Sequence, residues 1–164
     1  MNDLIKYIYY NIIPENKIFI KNKFYIIFNI PNLYNINSNV KFLLITLKNI
    51  YGPANNFMGS YLKEKMNIEV TYISGKDVNE FRENIKENNC LIYLESPSSV
   101  VFSLQDINEI SKLAKAHNIK TIIDNTWATP IYQKPLKMGI DLEVHSCSKY
   151  IGGHSDIVAG VIIG

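Results

Sequence analysis

From about Val40 onward the apolar positions switch between two periods, and the switches mark out elements. VKFLLIT is a short apolar strand, followed by a turn at Tyr51-Gly52-Pro53. NNFMGSYLKEKM places Phe57, Tyr61 and Leu62 at helical spacing and predicts an amphipathic helix. IEVTYI is the next strand. Asp77 then caps a helix over VNEFRENIKEN, whose Val78, Phe81 and Ile85 share a face. CLIYLE (90–95) is a buried strand running into the loop SPSS. Asp106 or Ser103 opens a second helix through Ala116, with Ile107, Ile110, Leu113 and Ala114 inward. Strands KTIID, LEVHS and IVAGVII (157–163) complete the pattern. Strands alternating with helices, several of them apolar throughout, predict an α/β fold with a mostly parallel sheet flanked by helices on both faces.

Such sheets bind ligands beyond the carboxyl ends of their strands. Glu95, Asp124 and the Ser146 to Lys149 group all fall at those ends. One crevice can therefore collect them despite their separation in sequence. The stretch 122–160 carries the densest chemistry: a carboxylate, Asp124, after one apolar run, and Ser146, Ser148 and Lys149 after another. Lysine, buried carboxylate and hydroxyls are what a protein needs to hold pyridoxal 5'-phosphate (PLP). The amine makes a Schiff base, the acid pairs with the pyridinium nitrogen, and the hydroxyls meet the phosphate.

Each of these residues has a plainer role too. Asp124 can cap or turn the chain after a strand, and most lysines are solvated. Lys149, however, sits between two apolar strands and before Gly152-Gly153. A Schiff-base lysine needs its pKa lowered, which burial and a nearby cation would supply. Ser146 and Ser148 alternate in what reads as a strand end, so they face one way and Lys149 the other. Tyr51 can stack on a flat ring or serve as one of eleven tyrosines in core or surface. His145 and His154 lack a partner at metal-ligand spacing and read as structural; no metal site is expected.

The first part of the chain differs from the rest. Residues 1–50 contain neither Gly nor Ala, and carry six lysines against two acids, a net +4; the remainder has eleven basic and thirteen acidic residues, a net −2. Residues 1–40 are therefore expected to be a divergent, biased segment: a strand-rich extension, low-complexity sequence, or a stretch without a fold. Residues 41–164 form the domain proper.

At 164 residues and 47% hydrophobic, the chain suits one domain with a real core. A net charge of +2 does not suggest nucleic acid or a membrane surface as partner. Cys90 and Cys147 match no metal or disulfide spacing and fit a reducing cytoplasm. The early apolar runs are broken by Lys21, Lys23 and Asn29, short of the roughly 20 residues a membrane span requires.

Three segments, LIYLESPSS, IIDNTWATPIYQKPLKMGID and HSCSKYIGGHSDIVAGVIIG, together resemble the Cys/Met-metabolism (trans-sulfuration) family of PLP enzymes. The resemblance covers about residues 43–164. It implies a partial large domain of the aspartate-aminotransferase-type fold and PLP as cofactor. Position by position, Lys149 would carry the cofactor and shuttle protons, Asp124 would bind the pyridine nitrogen, and Ser146 and Ser148 would contact the phosphate. Tyr51, in the context IYGP, would stack on the ring and assist the leaving group. DNTWA with Trp127, and ESPSS with Ser99, look most like cystathionine β-lyases, which act on a small sulfur amino acid and release homocysteine, pyruvate and ammonia. γ-Acting members (cystathionine γ-synthase, cystathionine γ-lyase, O-acetylhomoserine sulfhydrylase) are the alternative. The family also implies methionine metabolism and a homo-oligomer with shared active sites.

The chain departs from that family in three places. The glycine-rich phosphate-binding helix start expected two dozen residues before Tyr51 falls on FYIIFNI, which has no glycine. The single arginine, Arg82, stands where neither family arginine is expected. The family's C-terminal domain is expected to be absent after Gly164. Two readings follow: an active lyase completed by another chain, or a truncated, non-catalytic remnant whose start has been displaced.

Overall fold

The computed structural model describes residues 42–164 together with the backbone of Ile18–Ile20. The biased 1–40 segment and the boundary near residue 40 lie outside the described residues, that tripeptide excepted. Among the described residues, seven strands form one sheet: β1 (Ile18–Ile20), β2 (Phe42–Leu47), β3 (Ile68–Ile73), β4 (Asn89–Glu95), β5 (Lys120–Asp124), β6 (Leu142–Ser146) and β7 (Gly160–Ile163). Their spatial order is β1-β7-β6-β5-β4-β2-β3. β3, β2, β4, β5 and β6 run parallel, as the apolar runs predict. β7 departs from that: it is antiparallel to both β6 and β1.

Parallel neighbours need long crossovers, and helices supply them here. α1 opens at Gly52–Asn56, widens into a π turn at Phe57–Leu62 and closes at Lys63–Met66, linking β2 to β3. Pro53 lies inside its first turn, where a missing N–H is harmless, so the expected turn at 51–53 is a helix start. α2 (Val78–Asn84) links β3 to β4 and α3 (Ile107–Ala116) links β4 to β5. The chain moves outward from β2 to β3, then back past β2 to β4. Right-handed crossovers therefore put α1 on one face and α2 and α3 on the other. α2 and α3 pack against each other.

Asp77 caps α2 by accepting from the Asn79 N–H at 2.9 Å, and Asp106 caps α3 by accepting from Glu109 N–H at 3.0 Å. Ser103 does not cap; its hydroxyl meets Ser98 Oγ at 2.7 Å in the loop after β4. α2 ends at Asn84, earlier than its sequence pattern predicts. Ile85 turns extended (φ −70°, ψ 128°), while Asn89 folds the next turn back by accepting from Lys86 N–H at 2.5 Å. Asn side chains compete with the helix for backbone groups in this way. Ile85 still packs on the core beside the fully buried Phe81. α3 buries Ile107, Ile110, Leu113 and Ala114, the four positions its periodicity singles out.

The core runs through the middle of the sheet. Leu44, Ile45, Leu47, Ile92, Leu94, Ile122 and Ile123 are essentially inaccessible to water. Each such side chain contributes about 1.5–3 kcal/mol relative to exposure. These rigid strands fix where their last residues emerge.

Candidate active site

β2 is flanked by β3 on one side and β4 on the other, so the chain segments leaving β2 and β4 diverge. A crevice at such a switch point is where open α/β sheets bind ligands. Here a cleft of about 700 Å³ opens between those segments. Tyr51 and Lys48 line it from the β2–α1 corner, Glu95 from the end of β4, Asp124 and Thr126 from the end of β5, and Lys149 from the turn after β6.

Glu95 and Asp124 are register partners in the β4–β5 ladder, and Asp124 pairs onward with Val144 of β6. With side chains alternating along each strand, register partners stand on one face. The two carboxylates differ in setting. Glu95 is 5% exposed; its Oε2 accepts the Tyr51 N–H at 2.7 Å and its Oε1 accepts the Ser99 N–H at 2.6 Å. Burial pushes the Glu95 carboxyl above its ordinary value, opposed by those bonds and reinforced by the Asp124 charge. Asp124 is half-buried. Its Oδ1 accepts the Thr126 N–H at 2.9 Å, and Oδ2 has no hydrogen-bond partner among the described residues.

Lys149 sits in a kinked turn, Cys147–Ile151, that follows β6 directly, with its own backbone outside the helical region (φ −101°, ψ −116°). Gly152 closes the turn by donating to the Cys147 carbonyl at 2.8 Å; a Cβ on Gly152 would stand 2.7 Å from that oxygen. This close approach accounts for a glycine just after the lysine. The turn brings Lys149 Nζ to 4.8 Å from the centre of the Tyr51 ring, a cation–π arrangement. Lys149 is exposed, so the described residues do not provide the burial expected of it.

The serines are placed differently from expectation. The strand stops at Ser146, so Ser146 and Ser148 do not alternate along it, and neither lines the cleft. Ser148 Oγ accepts the Ala159 N–H at 3.0 Å and donates weakly to the Ala159 carbonyl at 3.3 Å. Cys147 N–H also donates to that carbonyl, at 2.9 Å. The Cys147 bond continues the β6–β7 register by one pair, and Ser148 takes both main-chain groups of Ala159; β7 itself starts at Gly160, later than the Ile157 the apolar run predicts. Ser146 is anchored by its N–H, which donates to Thr126 Oγ1 at 2.8 Å and so ties the ends of β5 and β6 together.

Two features around the cleft had only weak signals in the sequence. Phe102, Trp127 and Tyr150, from three different loops, form a contiguous aromatic edge, with ring centres 4.8 Å and 5.2 Å apart. The pairing of aromatics so far apart in sequence needs the fold to be known. Behind the cleft, the buried His145 Nε2 meets Glu143 Oε1 at 2.5 Å, and Asn125 Nδ2 donates to the same oxygen at 2.6 Å. Gln133 Nε2 bridges Asn125 Oδ1 and the Ser96 carbonyl, both at 2.8 Å. His145 is thus a core residue, as its lack of metal-ligand spacing suggests. Among the described residues no cluster of His, Cys, Asp or Glu is placed to hold a metal, and no helix is long and apolar enough to cross a membrane. Cys90 and Cys147 are both free thiols, and burial pushes that of Cys90 up to about 11.

Comparison with known proteins adds to this geometry. The chain is 37% identical over 121 residues to an L-methionine gamma-lyase of Fusobacterium nucleatum subsp. nucleatum, covering 73% of this chain and 30% of that protein. It is 39% identical over 119 residues to a cystathionine beta-lyase of Lactococcus lactis subsp. cremoris, covering 73% and 31%. Its fold superposes on a cystathionine gamma-lyase from Lactobacillus plantarum, crystallised with L-serine, with a TM-score of 0.72 and 36% identity over 74% of this chain and 32% of that one. The chain therefore spans somewhat under a third of the length of these relatives. β- and γ-acting enzymes stand among them at similar identity. A family model described as Cys/Met metabolism PLP-dependent enzyme matches residues 36–164, well over half of the chain, and the chain belongs to that family of PLP-dependent enzymes of trans-sulfuration and carbon–sulfur lysis.

Proposed function

We propose that this chain contributes a cofactor-binding part of a carbon–sulfur lyase acting on cystathionine, with homocysteine, pyruvate and ammonia as products. The observation that carries the proposal is the convergence of Tyr51, Asp124 and Lys149 on one cleft at the strand-order switch. The lining fits the ring end of PLP. Asp124 offers an oxygen without a partner among the described residues, suited to a protonated ring nitrogen. Tyr51 offers an aromatic face beside the only amine within cation–π range of it among the described residues. When bound, PLP supplies an electron sink for the pair left at the substrate Cα.

The chain's own residues then have distinct tasks. Lys149 Nζ binds the cofactor and moves the proton at substrate Cα. Asp124 Oδ2 holds the proton on the ring nitrogen. The Tyr51 hydroxyl delivers a proton to the departing sulfur. Ser148, outside the cleft lining, would serve a phosphate only by giving up its weak 3.3 Å bond to the Ala159 carbonyl, while still accepting the Ala159 N–H. The Ser146 hydroxyl has no hydrogen-bond partner among the described residues, so it is available for the same task. The Glu143–Asn125–Gln133 bonds keep the residues beside Asp124 in register.

A γ-acting enzyme is favoured as the second reading by the similarity to methionine and cystathionine gamma-lyases. The exposure of Lys149 favours completion of the cleft by a further segment or a second chain, since proton transfer at Cα benefits from exclusion of water. One titration tests the core of the proposal. Adding PLP should give saturable visible absorbance, and borohydride reduction should fix the cofactor to a peptide containing Lys149. Lys149→Ala should lose both signals, and absence of any adduct in the unmodified protein refutes PLP binding at this lysine. Products assayed from cystathionine distinguish β cleavage (pyruvate) from γ cleavage (2-oxobutyrate), and no turnover by the chain alone supports the need for a further segment or copy.

A further inference from the structure

Glu95 is a buried carboxylate that the proposed chemistry leaves without a task. It occupies the switch point itself. Its two oxygens take one N–H from each diverging segment: Tyr51, where the chain turns from β2 into α1, and Ser99, in the loop after β4. Tyr51 occupies the N-cap position of α1, where backbone N–H groups lack helical partners. No side chain of α1 itself caps that start. A charged acceptor from a different strand therefore holds the tyrosine's main chain.

We propose that Glu95 is a positioning residue, which clamps the two walls of the cleft and thereby sets the Tyr51 ring over Lys149. The inference rests on the reading of Tyr51 and Lys149 as PLP-binding residues. The geometry makes the clamp specific to a carboxylate. Both acceptor bonds are short, 2.7 and 2.6 Å, and each takes a different oxygen. Glutamine retains one acceptor and turns an NH₂ group toward the second N–H. The loss is then of one charge-assisted bond together with a donor–donor conflict. Displacing the Tyr51 main chain moves its ring from the amine 4.8 Å away. Asp124 stands in register beside Glu95, so the site holds two carboxylates with separate duties: one oxygen left for ligand, the other group used up on backbone.

The test uses the full chain and four proteins: unmodified, Glu95→Gln, Tyr51→Ala and the double variant. Amide exchange at Tyr51 and Ser99 should quicken in Glu95→Gln without added PLP, while exchange in β4 and β5 stays unchanged. In PLP titrations followed by visible absorbance, Glu95→Gln should raise the half-saturating concentration by about tenfold or more, the effect of losing one such bond. The double variant should be no weaker than Tyr51→Ala, because both changes act through the same ring. Additive losses, or an unchanged Tyr51 amide, overturn the clamp and leave the functional reading intact. A band missing from the unmodified protein overturns the functional reading and the clamp with it. Should Glu95→Gln not fold, Glu95→Asp serves in its place: it keeps the charge and shortens the reach, so it too should release one wall, and unaltered PLP affinity in that variant overturns the proposal.

Discussion

Replacing Asp141 by asparagine removes charge from a cluster that fastens β5 to the segment leading into β6, at the end of the sheet away from the cleft. Asp141 Oδ2 accepts from the Thr121 N–H at 2.9 Å and its hydroxyl at 2.8 Å, and Oδ1 meets Lys120 Nζ at 2.8 Å. Lys120 is 60% exposed, so its ion pair is worth up to about 1 kcal/mol. The part-buried Thr121 bonds carry more, about 1.5–3 kcal/mol for a charged acceptor. Asparagine keeps one acceptor, so a net loss of about 2 kcal/mol is expected near neutral pH. Burial pushes the Asp141 carboxyl up, but the bonds from Lys120 and Thr121 outweigh it and hold the group below its ordinary value of 3.8. For a carboxyl lowered in the folded state, the stabilisation is fully present above the unfolded value. It disappears as pH falls through the lowered folded value, because the unfolded chain takes up its proton first. Urea unfolding of both proteins from pH 7 downward should show the difference shrinking toward zero in acid. PLP affinity should not change. A pH-independent difference, or one below about 0.5 kcal/mol at pH 7, would refute the account.

Two further substitutions address the packing that supports the site. Phe81→Ala removes a fully buried ring from α2 and should lower unfolding free energy by about 3–5 kcal/mol, read from the denaturation midpoint. Gly75→Ala places a Cβ 2.2 Å from Leu47 Cδ2 at a backbone φ of +70°, so a loss of about 1–3 kcal/mol is expected. A midpoint equal to the unmodified protein's would refute either estimate.

The sequence was most legible where one local signal determined one local outcome. The caps at Asp77 and Asp106 and the buried runs of β4 and β5 are short-range statements, and the structure agrees with them. The collection of Glu95, Asp124 and Lys149 at one crevice was also readable, because parallel strands all end on the same side. What escaped was decided by distant partners. Ser146 does close β6, but Ser148 lies in the turn beyond it, where its hydroxyl is taken up by the Ala159 main chain eleven residues later. The same run reverses the chain, so β7 lies antiparallel, a change that an apolar run such as IVAGVII does not announce. The short end of α2 depended on how Asn89 would spend its side chain. The π turn in α1 has no residue pattern that distinguishes it from an ordinary amphipathic helix.

The ladder that pairs Glu95 with Asp124 and Asp124 with Val144 bears on how this chain can change over generations. Each strand delivers its terminal carboxylate by counting residues from a buried stretch. A loop can gain or lose residues and leave that count untouched. Removing one residue from within β5 would instead send Asp124 to the opposite face and bring Asn125 to its place at the cleft. Length variation in descendants of this chain should therefore collect in the connections, such as the loop between β4 and α3, while β4, β5 and β6 keep their residue numbers even as their side chains are exchanged.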